Sequence, residues 1–366
     1  CLVGSEMCIR DRNIGLDMSF LNNRLTFTGD YFIRNTEGML ADSYELPGVF
    51  GAKTPDENCA DLRTNGWELY LGWNDSFALM GKRFNYTVSA TLGDNKTVFT
   101  KFNNPEKNLS NHYEGKVWGE IWGYRVDGLF ASDEEAAEYT SKINQDAVNE
   151  RILTDKVDPY YRAGDLKFRD LDGDNVISKG DDTAYDAGDR EIIGNETPRY
   201  MYSFRLGADW NGFDLGIFFQ GVGKRDWYPS HLSTGFWGPY SRAFTSFIPA
   251  NFMDQCWSEE NPGGYLPRFR GYQTFASSQL GVANDRYLQD ASYIRLKNLT
   301  VGYTLPVLKK VFTKLRVYFT GENLWYWSPM KKYTKYIDPE AAGGNGNTGM
   351  AYNYSRNFSV GVDITF

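Results

Sequence analysis

Histidine is almost missing from this chain: two in 366 residues, His112 and His231, each in a stretch that reads as loop. Neither is accompanied by the Ser/His/Asp or Cys/His arrangement that nucleophilic or acid–base chemistry needs, so no catalytic constellation is present and an enzyme is not expected. There is no run of eighteen apolar residues, which excludes a membrane-spanning helix. A concentrated basic face is lacking too. The formal charge is -8 and its carboxylates are spread through the loops, which argues against nucleic acid as a partner.

Cysteine is scarce. Two of the four, Cys1 and Cys8, lie in the opening "CLVGSEMCIRDR", which differs in character from everything after it and resembles translated sequencing-adapter read-through. Residues 1–12 are therefore expected to be a non-native leader, with the folded portion occupying 13–366. The opening lacks the basic, apolar and small-residue zones of a signal peptide. Cys59 and Cys256 stand in polar stretches, where they would either form a disulfide in an oxidising compartment or stay as single thiols.

What is abundant is aromatic and glycine: 16% aromatic, 25 tyrosines and 37 glycines at a mean hydropathy of -0.52. Low hydropathy is compatible with a membrane barrel, because its strands alternate apolar with polar side chains. That alternation recurs along the chain. Ile14, Leu16, Met18 and Phe20 alternate with polar residues, and after Asn22-Asn23 the pattern resumes with Leu25, Phe27, Tyr31 and Ile33. It returns at Trp67–Trp73 and at Phe84–Leu92. Two further runs, Tyr200–Leu206 and Phe213–Phe219, flank Asn211-Gly212, a dipeptide suited to a hairpin turn with both central residues at positive φ. Leu299–Leu305, Leu315–Phe319 and Phe358–Phe366 complete nine strands.

The connections alternate between short and long. Short ones lie near 22–24, 76–83, 210–212 and 306–314; long ones occupy roughly 36–64, 95–199, 221–291 and 326–356. A compact soluble domain rarely carries structureless connections of that size, whereas outer-membrane barrels have short turns on the periplasmic side and long loops outside. A β-sandwich or propeller would not require the alternation. The fold expected is all-β: part of an antiparallel transmembrane β-barrel, about nine strands, with long external loops. Trp73, Trp210, Tyr303 and Trp325 near strand ends suit interfacial girdles. One helix is expected at 131–143, with Ser132 as N-cap and Glu135 three residues on.

Several stretches together resemble the C-terminal barrel region of SusC/RagA-like TonB-dependent transporters: "GDLKFRDLDGDNVISKGDD", "DREIIGNETPRYMYSFRLGADWNGFDLGIFFQG", "ASYIRLKNLTVGYTLP", "LRVYFTGENLW" and the ending "FSVGVDITF". The resemblance implies part of an outer-membrane importer of glycans or peptides in Bacteroidota-type bacteria. It further implies energy from a TonB complex acting through an N-terminal plug not found in this sequence, and a SusD-like surface lipoprotein as partner. A non-transporting surface protein, an adhesin or glycan-binding module, is the alternative.

Residues 170–181, "DLDGDNVISKGD", have calcium-loop spacing without the flanking helices of an EF-hand. A structural calcium would take Asp170, Asp172 and Asp174, the Val176 carbonyl, Ser178 and Asp181; the other reading is a solvated acidic loop held by Asx-turns. Asn175 stands where glycine is usual, and an insertion before Asp189-Arg190 leaves the last ligand open. Substrate contact is expected from Trp227, Tyr228, Trp237 and Tyr240, whose rings could stack on a solute or pack against neighbouring loops. Phe366 is expected to serve as a terminal signal for barrel assembly.

Overall fold

The structure, a computed structural model, describes residues 7–42, 56–244, 246, 248, 250–275, 277–306, 313–343 and 353–366. Nine strands form one antiparallel sheet: β1 (Cys8–Phe20), β2 (Leu25–Asp42), β3 (Asp56–Leu79), β4 (Lys82–Lys101), β5 (Arg199–Trp210), β6 (Phe213–Lys224), β7 (Tyr293–Leu305), β8 (Lys314–Trp327) and β9 (Asn357–Thr365). Their spatial order follows the chain without a crossover. The sheet is an open wall, with β1 and β9 as its two edges among the described residues.

The alternation of links is as expected. Met80 and Gly81, at φ 50° and 73°, turn β3 into β4; Asn211 and Gly212, at 51° and 90°, turn β5 into β6. Both pairs supply the two positive-φ residues that suit the twist of a tight hairpin. A side chain at Gly212 would come within 2.7 Å of the Thr304 carbonyl oxygen, which adds a steric reason for glycine. The β7–β8 link falls largely on 307–312, outside the described residues.

Three strands are longer than the pattern suggested. β2, β3 and β4 run for 18, 24 and 20 residues, beyond the roughly 9–11 that a tilted strand needs to cross a bilayer. Their excess extends on the long-loop side, where Ala60, Phe99 and Phe102 are buried with Met39, Ala41 and Leu62 packed against them. A small core of its own lets this ribbon continue past the membrane. β1 likewise begins at Cys8, not Asn13: Cys8–Arg12 pair with Ile33–Glu37, and Arg34 Nε lies 3.0 Å from Asp11 Oδ1. The boundary expected at residue 12 has no counterpart in the pairing, while residues 1–6 lie outside the described residues.

Register fixes which face is which. Phe77, Phe84, Trp210, Phe213, Tyr303, Val317 and Val362 are paired in a continuous row across seven strands. Trp73, Val88, Leu206, Ile217 and Leu299 form another row, four residues nearer the long loops on β3. The first row is aromatic where it meets the short turns, as an interfacial girdle requires. The opposite face is polar. Asn85 Nδ2 donates to Asp209 Oδ1 at 2.8 Å, Thr91 and Ser203 share a hydrogen bond of 2.7 Å, and Arg316 grips Asp214 through two bonds of 2.6 and 2.8 Å.

The main hydrophobic core is not in the sheet. It lies among the long connections, where Tyr124, Leu166, Phe168, Ile177, Trp237, Tyr287 and Met330 belong to one buried cluster. Residues 102–198 and 225–292 meet through backbone bonds from Tyr124 N to Ala283 O (2.9 Å) and from Arg268 N to Gly164 O (2.7 Å). The rings of Tyr265 and Tyr333 stack at 3.5 Å and bring in the last long connection. The external loops are thus one folded cap. Its longest helix spans Asp133–Thr140, shorter than 131–143 but capped as expected, with Ser132 Oγ accepting from Glu135 N at 3.2 Å, while four-residue α-helices at Glu150–Leu153 and Thr234–Trp237 were not expected.

Candidate functional site

The acidic loop joins a three-residue strand, Leu166–Phe168, to another at Arg190–Asn195. Leu166 and Phe168 are fully buried and Lys167 between them is not, the period-2 pattern of the sequence. No helix flanks the loop, so it is not an EF-hand. The side-chain oxygens of Asp170, Asp172 and Asp174 lie within 4.8 Å of one another. Backbone amides shape this convergence: Gly173 N and Asn175 N donate to Asp170, Asp174 N to Asp172, and Val176 N to Asp174, at 2.7 to 3.1 Å. Asn175 adopts φ 65°, the left-handed conformation that asparagine tolerates in place of glycine.

Asp181 departs from its expected role. It stands outside the converging group, and its amide donates to Asp186 Oδ2 at 3.3 Å in a separate turn formed by the inserted residues. The carboxylate that closes the loop is Asp189, fully buried, which accepts from Leu171 N at 2.7 Å and Ser178 N at 2.8 Å. Burial pushes the Asp189 carboxyl above the ordinary range; the two amides oppose this, and the charges of Asp172 and Asp170 add to it. The sequence signal was Asp189-Arg190, displaced by the insertion. Ser178 is thereby anchored through its amide, while its Oγ accepts from Gly180 N.

The four aromatic residues expected to meet substrate are placed otherwise. Trp227 is 2% exposed, and Trp237 and Tyr240 are 0% exposed. Trp237 Nε1 is satisfied by the carbonyls of Pro229 and Ser230, the Tyr240 hydroxyl donates to Pro267 O at 2.6 Å, and Tyr228 Oη lies 2.9 Å from Val282 O. Burial drives the Tyr228 and Tyr240 phenols well above their usual pKa. Rings so enclosed, with their polar ends satisfied internally, form the cap's core instead of a stacking surface. Phe366 is 84% exposed at the end of the last strand.

His112 stacks on Phe99 at 4.3 Å, and His231, though exposed, meets Phe275 edge-on at 5.3 Å. No disulfide joins Cys59 to Cys256, which is buried in the cap.

The geometry leaves an open polar surface where the polar face of the wall meets the cap. A cavity of about 370 Å³ opens there, lined from the wall by Thr91, Ser203 and Gln220 and from the cap side by Arg225 and Glu340.

No model of a known protein family matches the chain. Individual relatives do. TonB-dependent receptor P3 of Formosa agariphila is 27% identical over 97% of this chain and 34% of its own length. TonB-dependent receptor SusC of Bacteroides thetaiotaomicron is 22% identical over 97% of this chain and 31% of its own length. Among solved structures, the RagAB peptide importer in its closed-closed state aligns with a TM-score of 0.68 at 22% identity, covering 98% of this chain and 35% of that one. The chain spans about a third of the length of the curated relatives it matches. An antiparallel wall with strict link alternation, one apolar face and one polar face resembles, over nearly the whole chain, the barrel region of SusC/RagA-like TonB-dependent receptors.

Proposed function

We propose that this chain is the C-terminal barrel portion of an outer-membrane active transporter that imports glycan or peptide nutrients in a Bacteroidota-type cell. The observation that carries this is the wall itself: nine strands in sequential order, short turns at one end, a folded cap at the other, and an apolar face opposite a polar one. Such a wall suits a membrane barrel with an aqueous interior. A plug and TonB contact would come from the part of the relatives' length that this chain does not span, and a SusD-like surface lipoprotein would dock over the cap. In the intact protein, solute uptake should vanish when TonB is deleted and return on complementation. Uptake that persists without TonB would contradict the reading.

We also propose a structural calcium at the acidic loop. Three converging carboxylates with geometry set by their own backbone fit a hard divalent cation. Asp170, Asp172 and Asp174 would hold it, with the Val176 carbonyl and Ser178 alongside, and the ion would relieve their mutual repulsion. After chelation of the intact protein, adding calcium should slow proteolysis between residues 150 and 199, and Asp172→Ala should abolish that protection. Unchanged protection would reduce the segment to an acidic turn.

Phe366 is proposed as the terminal assembly signal. Deleting it from the intact protein should lower outer-membrane insertion far more than Phe358→Leu, whose ring is also exposed on β9. Equal assembly of the two variants would remove this role.

A further inference from the structure

At the mouth of the wall one guanidinium lines a cavity without an ion pair among the described residues. Three cations and two carboxylates gather where β7 meets residues 338–343. Arg295, fully buried, pairs with Asp338 and lies 3.1 Å from Glu340. Lys297 Nζ lies 2.7 Å from Glu340 Oε1. Both carboxylates are thereby engaged. Arg225, the third cation, sits just past the end of β6 and makes no ion pair among the described residues. Its Nε donates to Glu196 O at 3.1 Å and one terminal nitrogen donates to Pro339 O at 3.2 Å. The Glu196 carboxylate is exposed and makes no ion pair with Arg225; it favours the guanidinium's charge only from a distance.

Two carbonyls fix the guanidinium without neutralising it. Burial, the main influence on Arg225, works against its charge. Its other terminal nitrogen lies 2.8 Å from where a side-chain carbon on Gly343 would stand, and Gly343 is at φ 90°, so glycine there leaves the guanidinium room. The group lines the cavity of about 370 Å³, together with the hydroxyls of Thr91 and Ser203, the Gln220 amide and the ring of Tyr293. That volume is within the range of small-solute sites.

We infer that Arg225 is a specificity-determining residue that binds a carboxylate of the solute passing the mouth of the barrel. A single fixed guanidinium without a direct ion-pair partner among the described residues matches a monoanion, and its remaining N–H groups can give the charge-assisted bonds that carboxylates accept. The hydroxyls and amide beside it, with the apolar side chains of Met201, Phe218 and Val222, suit the uncharged remainder of the same solute, and the Glu340 carboxylate that also lines the cavity is engaged by Arg295 and Lys297. This rests on the reading of the chain as part of an importer, and names the chemistry of what it takes.

The test uses the intact transporter and two matched pairs in calorimetric titration: trigalacturonate against galactotriose, and trialanine with a free against an amidated C-terminus. In at least one pair the carboxylate member should bind about tenfold more tightly or better, the size expected of a hydrogen bond to a charged group. Arg225→Gln should abolish that preference and Arg225→Lys should retain part of it. Absence of a preference in both pairs, or a preference that survives Arg225→Gln, overturns the inference. Carboxylate binding that depends on Arg225 without TonB-dependent uptake would leave the inference standing and contradict import instead. Uptake of neutral solutes alone would do the reverse.

Discussion

Arg270→Ala should open the cap locally at a cost of about 3–5 kcal/mol, the penalty for leaving one member of a buried ion pair behind. Asp165 is fully buried and Arg270 nearly so, with Arg270 3.1 Å from Asp165 Oδ2 and donating also to the carbonyls of Asp158 and Tyr160. Gln279 Nε2 and the Arg162 amide complete the shell of Asp165. This cluster ties residues 158–166 to 270–279, two long connections that the chain separates by about a hundred positions. Burial pushes the Asp165 carboxyl upward and Arg270 is the first opposing influence. In Arg270→Ala only amide bonds oppose it, so the folded-state pKa, already above the unfolded value, rises further. Stability is then present at low pH and lost as pH rises through the folded pKa, and acidification should partly restore the variant. Hydrogen exchange at Leu166 and Phe168 in the intact protein reads both effects. A loss under about 1 kcal/mol, within the range of ordinary substitutions, would mean the pair does not hold the cap together.

Trp237→Ala should cost a similar amount, about 3–5 kcal/mol, through the cavity left by a large buried ring. Its indole lies edge-on to Phe236 at 4.7 Å and to Tyr287 at 5.5 Å, so the void would fall inside the 225–292 connection, in the buried core of the cap and not at a surface. Tyr185→Ala, at a ring 71% exposed, should stay within about 0.5 kcal/mol. Proteolysis of the cap should follow the same order. If Trp237→Ala leaves cap protection intact and lowers solute affinity, the ring is a contact surface and its placement in the core is wrong.

The wall was legible because its residues obey a period. Side chains alternate on a strand, one face must be apolar, and a slip of one residue would reverse every side chain, so pattern and register determine each other. Hence the runs Phe213–Phe219 and Leu299–Leu305 and the turn at Asn211-Gly212 were readable, and the structure adds the register that sets Phe213 opposite Tyr303. The cap was not legible. Trp227, Trp237 and Tyr240 sit among prolines, glycines and serines without periodicity, and a crowd of aromatic residues in a polar stretch looks the same whether it stacks on a solute or on other loops. The difference comes from partners far along the chain, such as Pro267 beneath Tyr240 and Gln289 paired with Trp227. Asp189 was obscured for a similar reason. Counting twelve positions from Asp170 reaches Asp181, but the inserted residues loop out and return the buried carboxylate eight positions later. Arg225 carries no motif at all; its isolation shows only once Arg295 and Lys297 are seen to occupy Asp338 and Glu340.

Sidedness is the most direct test of the account. Single cysteines placed at Met80, in the β3–β4 turn, and at Tyr185, exposed on the cap, can be probed in the intact protein in living cells with a membrane-impermeant maleimide. Met80→Cys should react only after the outer membrane is permeabilised, and Tyr185→Cys should react at once. Immediate labelling of both, or of Met80→Cys alone, would mean that the sheet does not cross the membrane with its short turns inside and its cap outside.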